Sequence, residues 1–413
     1  MQLFLQKKQG VQKLKSLLRN TVLSAGALAA GLFTASLPAM AADEIVIGLS
    51  YGRTGLYSTI NKTTEVAVDI ATAEINAAGG INGKKVRIVK FDTAGDPKQA
   101  VVAVRKFARD DKALAVIGPF SSSEARVAFA AGEREKIVQI PNASSAPKLA
   151  DKFSYAFRMT ESEYIQMLRV VKTLKSRNAL KKSIAIMYGT DDVVSKAVGL
   201  YIMKPIFKKE GIKITGPFGF SLKAFDVAPQ VSQLKGKELD YIGVATITGP
   251  AIRVLKELRR QGVMAPLIGA QIWADPEIIE GFAGLGDGSV FATYFFYDRN
   301  DKSREFTKKF VEGAAKLGIK KPFPHHVDVS AYDTMYVLKA AMEAAKTTGD
   351  PSKVVAERAA IRDTLGKLTY NNLVIGDGIC FDKHGDAQLP GYILTMKNKE
   401  WKIIGTHAPL PCK

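Results

Sequence analysis

Residues 116–124 read VIGPFSSSE, and residues 138–149 read VQIPNASSAPKL. In each stretch an apolar, β-branched run ends in small hydroxyl residues, and a helical pattern begins at Ser122. Serine hydroxyls and the free backbone N–H groups of a helix start are hydrogen-bond donors suited to an anion. Ser121, Ser122, Ala143 and Ser144 are therefore candidate contacts for the carboxylate of a small molecule. Simple helix capping is the competing explanation, since serine caps helices anyway.

Other chemistry finds less support. No G-x-S-x-G elbow occurs, and no histidine lies near the serine clusters in sequence. His325 and His326 are adjacent rather than spaced i, i+4 as helix-borne metal ligands are. GLGDG at 284–288 lacks the dinucleotide fingerprint, and GGINGK lacks phosphate-loop spacing. The expectation is a binding protein without a catalytic residue, cofactor or metal.

The elements around these clusters alternate. EIVIGLS, KVRIVKFD, LAVIG and KIVQI read as strands, separated by helical patterns. One of these patterns opens on Asp96 as a cap with Pro97 in the first turn. The same alternation returns in SIAIMYG, IKITGPFGF, DYIGVAT and APLIGA. Strict alternation implies parallel sheets covered on both faces. The fold class expected is α/β, with two doubly wound parallel-sheet lobes joined by three hinge strands. Three helical patterns and a terminal hairpin then follow, which fits a chain that returns to the first lobe near TYFFYD and leaves it near TYNNLVIGDG. The lobes expected are 42–160 plus 295–370, and 161–294 plus 371–413. Ligands of open parallel sheets sit beyond the carboxyl ends of the strands, where both serine clusters fall.

Residues 1–41 carry Lys7, Lys8, Lys13, Lys15 and Arg19, no acid, then an apolar stretch ending in Ala39-Met40-Ala41. This is the pattern of a cleaved secretory signal, with a membrane anchor as the alternative. The whole chain has 59 basic and 40 acidic residues, so removing those five leaves 54 against 40, a net of +14. No basic block with interleaved aromatics accompanies that charge, which argues against nucleic acid as a partner. The two cysteines, Cys380 and Cys412, favour a disulfide in an exported protein, against two buried thiols.

The run EINAAGGINGKKVRIVKFDTAGDPKQAVVAVRKFARDDKALAVIGPFSSSEA, with LKELRRQG and GDGICFDKHGD further on, resembles the periplasmic branched-chain amino-acid binding proteins of ABC importers. The resemblance covers nearly the whole chain after residue 41. It implies a type I periplasmic binding protein fold, a monomer that closes on a solute, and delivery to a membrane permease with its ATPase. It also implies that Ser121, Ala143 and Ser144 grip the solute's carboxylate. Val193 stands where relatives often carry an aromatic, and Gln271 where they carry the acid that meets the ammonium. A buried ammonium needs a counter-charge. The expectation is therefore a carboxylate lacking an α-ammonium, an aromatic or phenylpropanoid-like acid, with no negative group facing the serines. Asp191 and Asp192 are the acids that would restore amino-acid binding. Tyr51, Tyr57, Trp273 and the YFFY run at 294–297 are candidate flat walls. A branched-chain amino-acid-binding protein and an exported sensor or chemoreceptor partner are the alternatives.

Overall fold

The computed structural model describes residues 44–412; the signal-peptide reading of residues 1–41 lies outside them. Strands β1 (Glu44–Tyr51), β2 (Lys85–Asp92), β3 (Ala115–Ile117) and β4 (Val138–Ile140) form a parallel sheet in the order β2-β1-β3-β4. Side chains alternate along β1. Ile45, Ile47 and Leu49 pack into one core with Val66 and Ile75 of the helix Thr64–Ala77. Val46 points the other way, toward Ala100, Val104 and Phe107 of the helix Pro97–Arg109. Burial on both faces explains why the strand is continuously apolar. The Asp96 carboxylate accepts from the Lys98 N–H at 2.7 Å, so that helix starts where the capping residues place it.

The second sheet holds β5 (Ser183–Gly189), β6 (Lys213–Phe220), β7 (Tyr241–Ala245), β8 (Leu267–Gly269) and β9 (Val290–Thr293). From β9 the chain crosses back. Phe306, Phe310, Val329, Leu338, Ile361 and Leu365, on the helices Asp301–Lys316, His326–Ala344 and Val354–Leu365, share the core of β1. A short hairpin, β10 (Cys380–Phe381) with β11 (Ala387–Gln388), follows. Finally β12 (Gly391–Lys397) and β13 (Glu400–His407) join antiparallel, completing the order β13-β12-β9-β8-β7-β5-β6.

One expected boundary moves. Leu373, Ile375, Ile379, Phe381, Ala387 and Leu389 still belong to the first core, so the last passage into the second sheet comes at Gly391 rather than at residue 371. The segment looks polar in sequence, yet its apolar residues turn inward on the first lobe.

Cys380 and Cys412 are joined, with Cα atoms 6.0 Å apart and a sequence separation of 32. The bond ties the first-lobe hairpin to the tail beyond β13. A covalent loop of that length stabilises a fold by about 3–4 kcal/mol, chiefly by restricting the unfolded chain. Replacing both cysteines by serine is expected to lower the unfolding free energy by that amount, measured by urea titration against the oxidised protein.

Candidate functional site

The serine clusters are laced to one another. Gly118 adopts φ +100°, and a Cβ there would meet the Ser50 carbonyl oxygen at 2.0 Å, so only glycine lets the chain leave β3 this closely. Ser121 then caps the helix Ser122–Glu135. Its Oγ accepts from the Glu124 N–H (3.2 Å), while Glu124 Oε2 accepts from the Ser121 N–H (3.0 Å) and hydroxyl (2.6 Å). Ser122 Oγ accepts from the Ala146 N–H (3.2 Å), and Ser144 Oγ donates to the Phe120 carbonyl (2.9 Å). The Arg158 guanidinium supports the second cluster from beneath. Fully buried, it donates to the carbonyls of Ser144 (2.9 Å) and Ala146 (2.7 Å) and pairs with Asp386.

Facing these residues across a cleft are ends of second-sheet elements. Asp192 caps the helix Val193–Ala197 by accepting from the Ser195 N–H at 2.7 Å, and a π-helical turn, Val198–Met203, continues it. Such turns recur at functional sites. Gln271 follows β8; its Oε1 accepts from Gln166 Nε2 at 2.7 Å. The walls of the cleft include Tyr57, Phe120, Ala143, Val194, Ile247 and Ile272. Counted out to the mouth, open solvent included, its space is ≈570 Å³.

Of the expected site residues, Ser121, Ser122, Ala143, Tyr57 and Gln271 line this cleft. Four do not. Ser144 spends its hydroxyl on Phe120, and Tyr51 lies in the first core with its hydroxyl on Glu65 (3.0 Å). Trp273 is fully buried over Gly269, where a Cβ would come within 2.0 Å of the indole, and packs edge-on against Phe282. Val193 yields its place to Val194 and Ser195 on the same short helix. The YFFY run packs in the cores and at the crossing, with Tyr297 stacked on Phe323 at 4.1 Å.

The largest correction concerns charge. Glu163 and Asp192 both line the cleft, so acidic side chains do face the serines. Glu163 is buried in the first turn of the helix Glu163–Ser176, capped by Ser162. Its Oε1 accepts from the Ser145 hydroxyl at 3.4 Å, and its Oε2 has no partner. Burial pushes its carboxyl up to about 7, opposed by hydrogen bonds from Gln271 and Ser145. In sequence it reads as an ordinary first-turn acid beside a serine cap, which is why spacing alone does not single it out. His325 and His326 also line the cleft. The Ile272 carbonyl can only accept, so His325 Nε2 (3.1 Å) carries the proton and Nδ1 accepts from the Val327 N–H (3.3 Å). Burial pushes His325 down to about 4 and His326 well below the usual histidine range. Among the described residues no group of three His, Cys, Asp or Glu is placed to hold a metal ion.

Besides Ser145 with Glu163, further contacts join the lobes around the cleft. Tyr57 Oη donates to Asp192 Oδ1 at 3.0 Å, His325 reaches Ile272, and Lys321 Nζ lies 3.4 Å from Asp275 and 3.1 Å from Glu277. Asp275 is fully buried, caps the helix Pro276–Phe282 and accepts from Thr248 Oγ1 at 3.0 Å.

A family model described as periplasmic binding protein matches residues 44–400. An amino acid binding protein of Pseudomonas aeruginosa is 26% identical over 381 residues, spanning 89% of this chain and 93% of its own length. Among solved structures, the isoleucine complex of LivJ from Streptococcus pneumoniae superposes with a TM-score of 0.75 at 22% identity, covering 89% of this chain and 100% of that one. A solute-binding protein from R. palustris, solved with benzoate, gives 0.74 at 17% identity, covering 90% and 98%.

Removing one partner of a buried ion pair costs about 3–5 kcal/mol. Lys321→Met is therefore expected to open the lobes, raising the radius of gyration measured by small-angle scattering, while Lys321→Arg keeps the wild-type value.

Proposed function

Because the chain belongs to the periplasmic binding protein family, we propose that it captures a small α-amino acid between its lobes and delivers it to a membrane permease worked by a separate ATPase. The observation that carries this reading is the position of Glu163, whose carboxylate lies 3.4 Å from the Ser145 hydroxyl. An α-amino acid holds its ammonium and carboxylate on one carbon. Its site therefore needs donors and a negative acceptor side by side, as Ser122, the first-turn N–H groups and Glu163 supply. Gln271 offers only an amide where relatives carry an acid, and Glu163 beside it provides the missing charge. No lysine or arginine lies among the described lining residues, so an unpaired anion would face two carboxyl groups without a cation. Closure follows from contacts that exist only when both lobes touch the solute. The family's compartment and the basic, then apolar, leader at residues 1–41 together support export to the periplasm.

A second reading keeps the aromatic or phenylpropanoid-like acid. It is favoured by Gln271 and by the ring wall of Tyr57 and Phe120, whose centroids are 5.3 Å apart. In that case Glu163 stays protonated and donates to the carboxylate.

The two readings differ in the sign of a proton exchange. An ammonium beside Glu163 favours its ionised form, so binding releases a proton and affinity rises with pH through about 7 before levelling. A lone carboxylate favours the neutral form, so binding takes up a proton and affinity falls over the same interval. Titration calorimetry of amino-acid and aromatic-acid panels, in buffers of different ionisation enthalpy, measures this directly. Glu163→Gln is expected to weaken amino-acid binding by roughly two to three and a half orders of magnitude. Tight binding of an aromatic acid with proton uptake, and none of any α-amino acid, would select the second reading.

A further inference from the structure

The net charge of +14 carried by residues 42–413 plays no part in the cleft, and it is unevenly spread. Strands β5 to β9 run parallel, and β12 lies antiparallel beside β9. Their registers therefore bring residues 183, 213, 241, 267 and 290 and the β12–β13 turn to one end of the second sheet. The segments at that end are 175–183, 208–213, 233–240, 259–266, 284–289 and 397–400. They hold thirteen lysines and arginines against five acids, a net of +8 and more than half of the total. The corresponding end of the first sheet, formed by residues 44, 79–85, 109–114 and 135–138, holds five against four.

We propose that this pole of the second lobe is a surface that holds the protein reversibly on an anionic lipid bilayer. Three features point to lipid. Ten of the thirteen cations are lysine, and the six segments contain no Phe, Tyr or Trp. Protein interfaces favour arginine and aromatics and are poor in lysine, whereas a layer of anionic headgroups attracts diffuse positive charge. The acids, second, are partly withdrawn. Glu210 pairs with Lys175 at 2.6 Å, and Asp240 accepts from the backbone N–H groups of Lys181 (2.7 Å) and Lys182, leaving those two side chains exposed. The third feature is apolar. Met264 and Leu285 stand 69% and 43% exposed at the same pole. Arg259 braces both of their loops, donating to the carbonyls of Leu285 (3.0 Å), Val263 (2.6 Å) and Ala265 (3.1 Å). Apolar tips among lysines suit the boundary between headgroups and acyl chains.

This attachment goes beyond solute capture and holds whichever solute the cleft takes. Asp192 follows β5 and Gln271 follows β8, so the cleft lies at the opposite, carboxyl end of the same sheet. A bilayer at the pole therefore leaves the mouth free. Each basic residue close to an anionic leaflet strengthens binding roughly fivefold, an effect that fades within a Debye length of about 8–10 Å. Attachment of this kind is reversible and salt-sensitive, and it concentrates the protein at the membrane surface.

Cosedimentation with vesicles tests this on the chain from residue 42, which contains every described element. Residues 1–41 are left off because their own basic and apolar stretch binds lipid. Vesicles of equal parts phosphatidylcholine and phosphatidylglycerol are expected to bind at least about tenfold more tightly than phosphatidylcholine alone at low salt. Binding is expected to be lost at about 1 M salt, where the Debye length is roughly 3 Å. Joint reversal of Lys181→Glu, Lys182→Glu, Lys235→Glu and Lys237→Glu is expected to weaken binding by about a hundredfold or more. The same reversal at four exposed first-lobe lysines, Lys85, Lys98, Lys308 and Lys316, changes the net charge equally and is expected to cost less than about tenfold. Equal binding to both kinds of vesicle, or an equal loss in the two variants, would overturn the inference. Binding to neither vesicle would overturn it too, and would leave an acidic protein face as the partner of the pole. The comparison of vesicles uses the unaltered sequence, so it does not depend on a variant folding.

Discussion

The site is built around Arg158. Its guanidinium, fully buried, holds the carbonyls of Ser144 and Ala146 and pairs with Asp386 of the β10–β11 hairpin. Its backbone joins the same hairpin, donating to the Gly385 carbonyl at 2.7 Å and accepting from the Ala387 N–H at 3.0 Å. One residue therefore ties the second serine cluster to two passages of the chain between the lobes. A charge taken out of water survives only when fully paired. That requirement fixes the serine loop, the first crossing and the hairpin in a single arrangement.

The cleft sets the opposite problem. Its wall is largely apolar, which raises the cost of every charge placed there. Glu163 feels that cost as a carboxyl pushed up to about 7, while His325 and His326 are held neutral. The charge state of the cleft is thus poised to respond to what enters it. An incoming ammonium repays the desolvation of Glu163; an incoming lone carboxylate does not, unless Glu163 keeps its proton. Electrostatics of this kind separates solutes more sharply than shape does, because a single misplaced charge outweighs several apolar contacts.

Beside the cleft the lobes meet through specific polar contacts. Tyr57 with Asp192, His325 with Ile272, and Lys321 with Asp275 and Glu277 each link one element of each lobe. The segments carrying two of these contacts, around 271–277 and 321–327, also supply Gln271, Ile272, His326 and Val327 to the cleft wall. Solute contact and lobe closure therefore share the same backbone. The Cys380–Cys412 bond adds a covalent tie from the first-lobe hairpin to the tail of the second sheet.

Local patterns carried much of this. Alternating strands and helices, the Asp96 and Ser121 caps and the pair of serine clusters all follow from short-range rules, because backbone geometry and capping act within a few residues. Those rules placed Ser121, Ser122 and Ala143, the family resemblance pointed to Gln271, and Tyr57 was a candidate wall; the cleft gathers all five. They could not tell that Trp273 would be pressed against Gly269, or that Ser144 would turn back to Phe120, since an apolar or hydroxyl side chain looks alike in sequence whether it faces a core or a cavity. Glu163 and His326 came to the cleft, and Arg158 to its support, only through contacts over long sequence separations. The amino-acid sequence by itself determined the lobed α/β architecture and the donor-rich half of the site. Which acids face those donors was decided by tertiary packing, because burial and charge proximity are properties of the assembled lobes and not of any single segment.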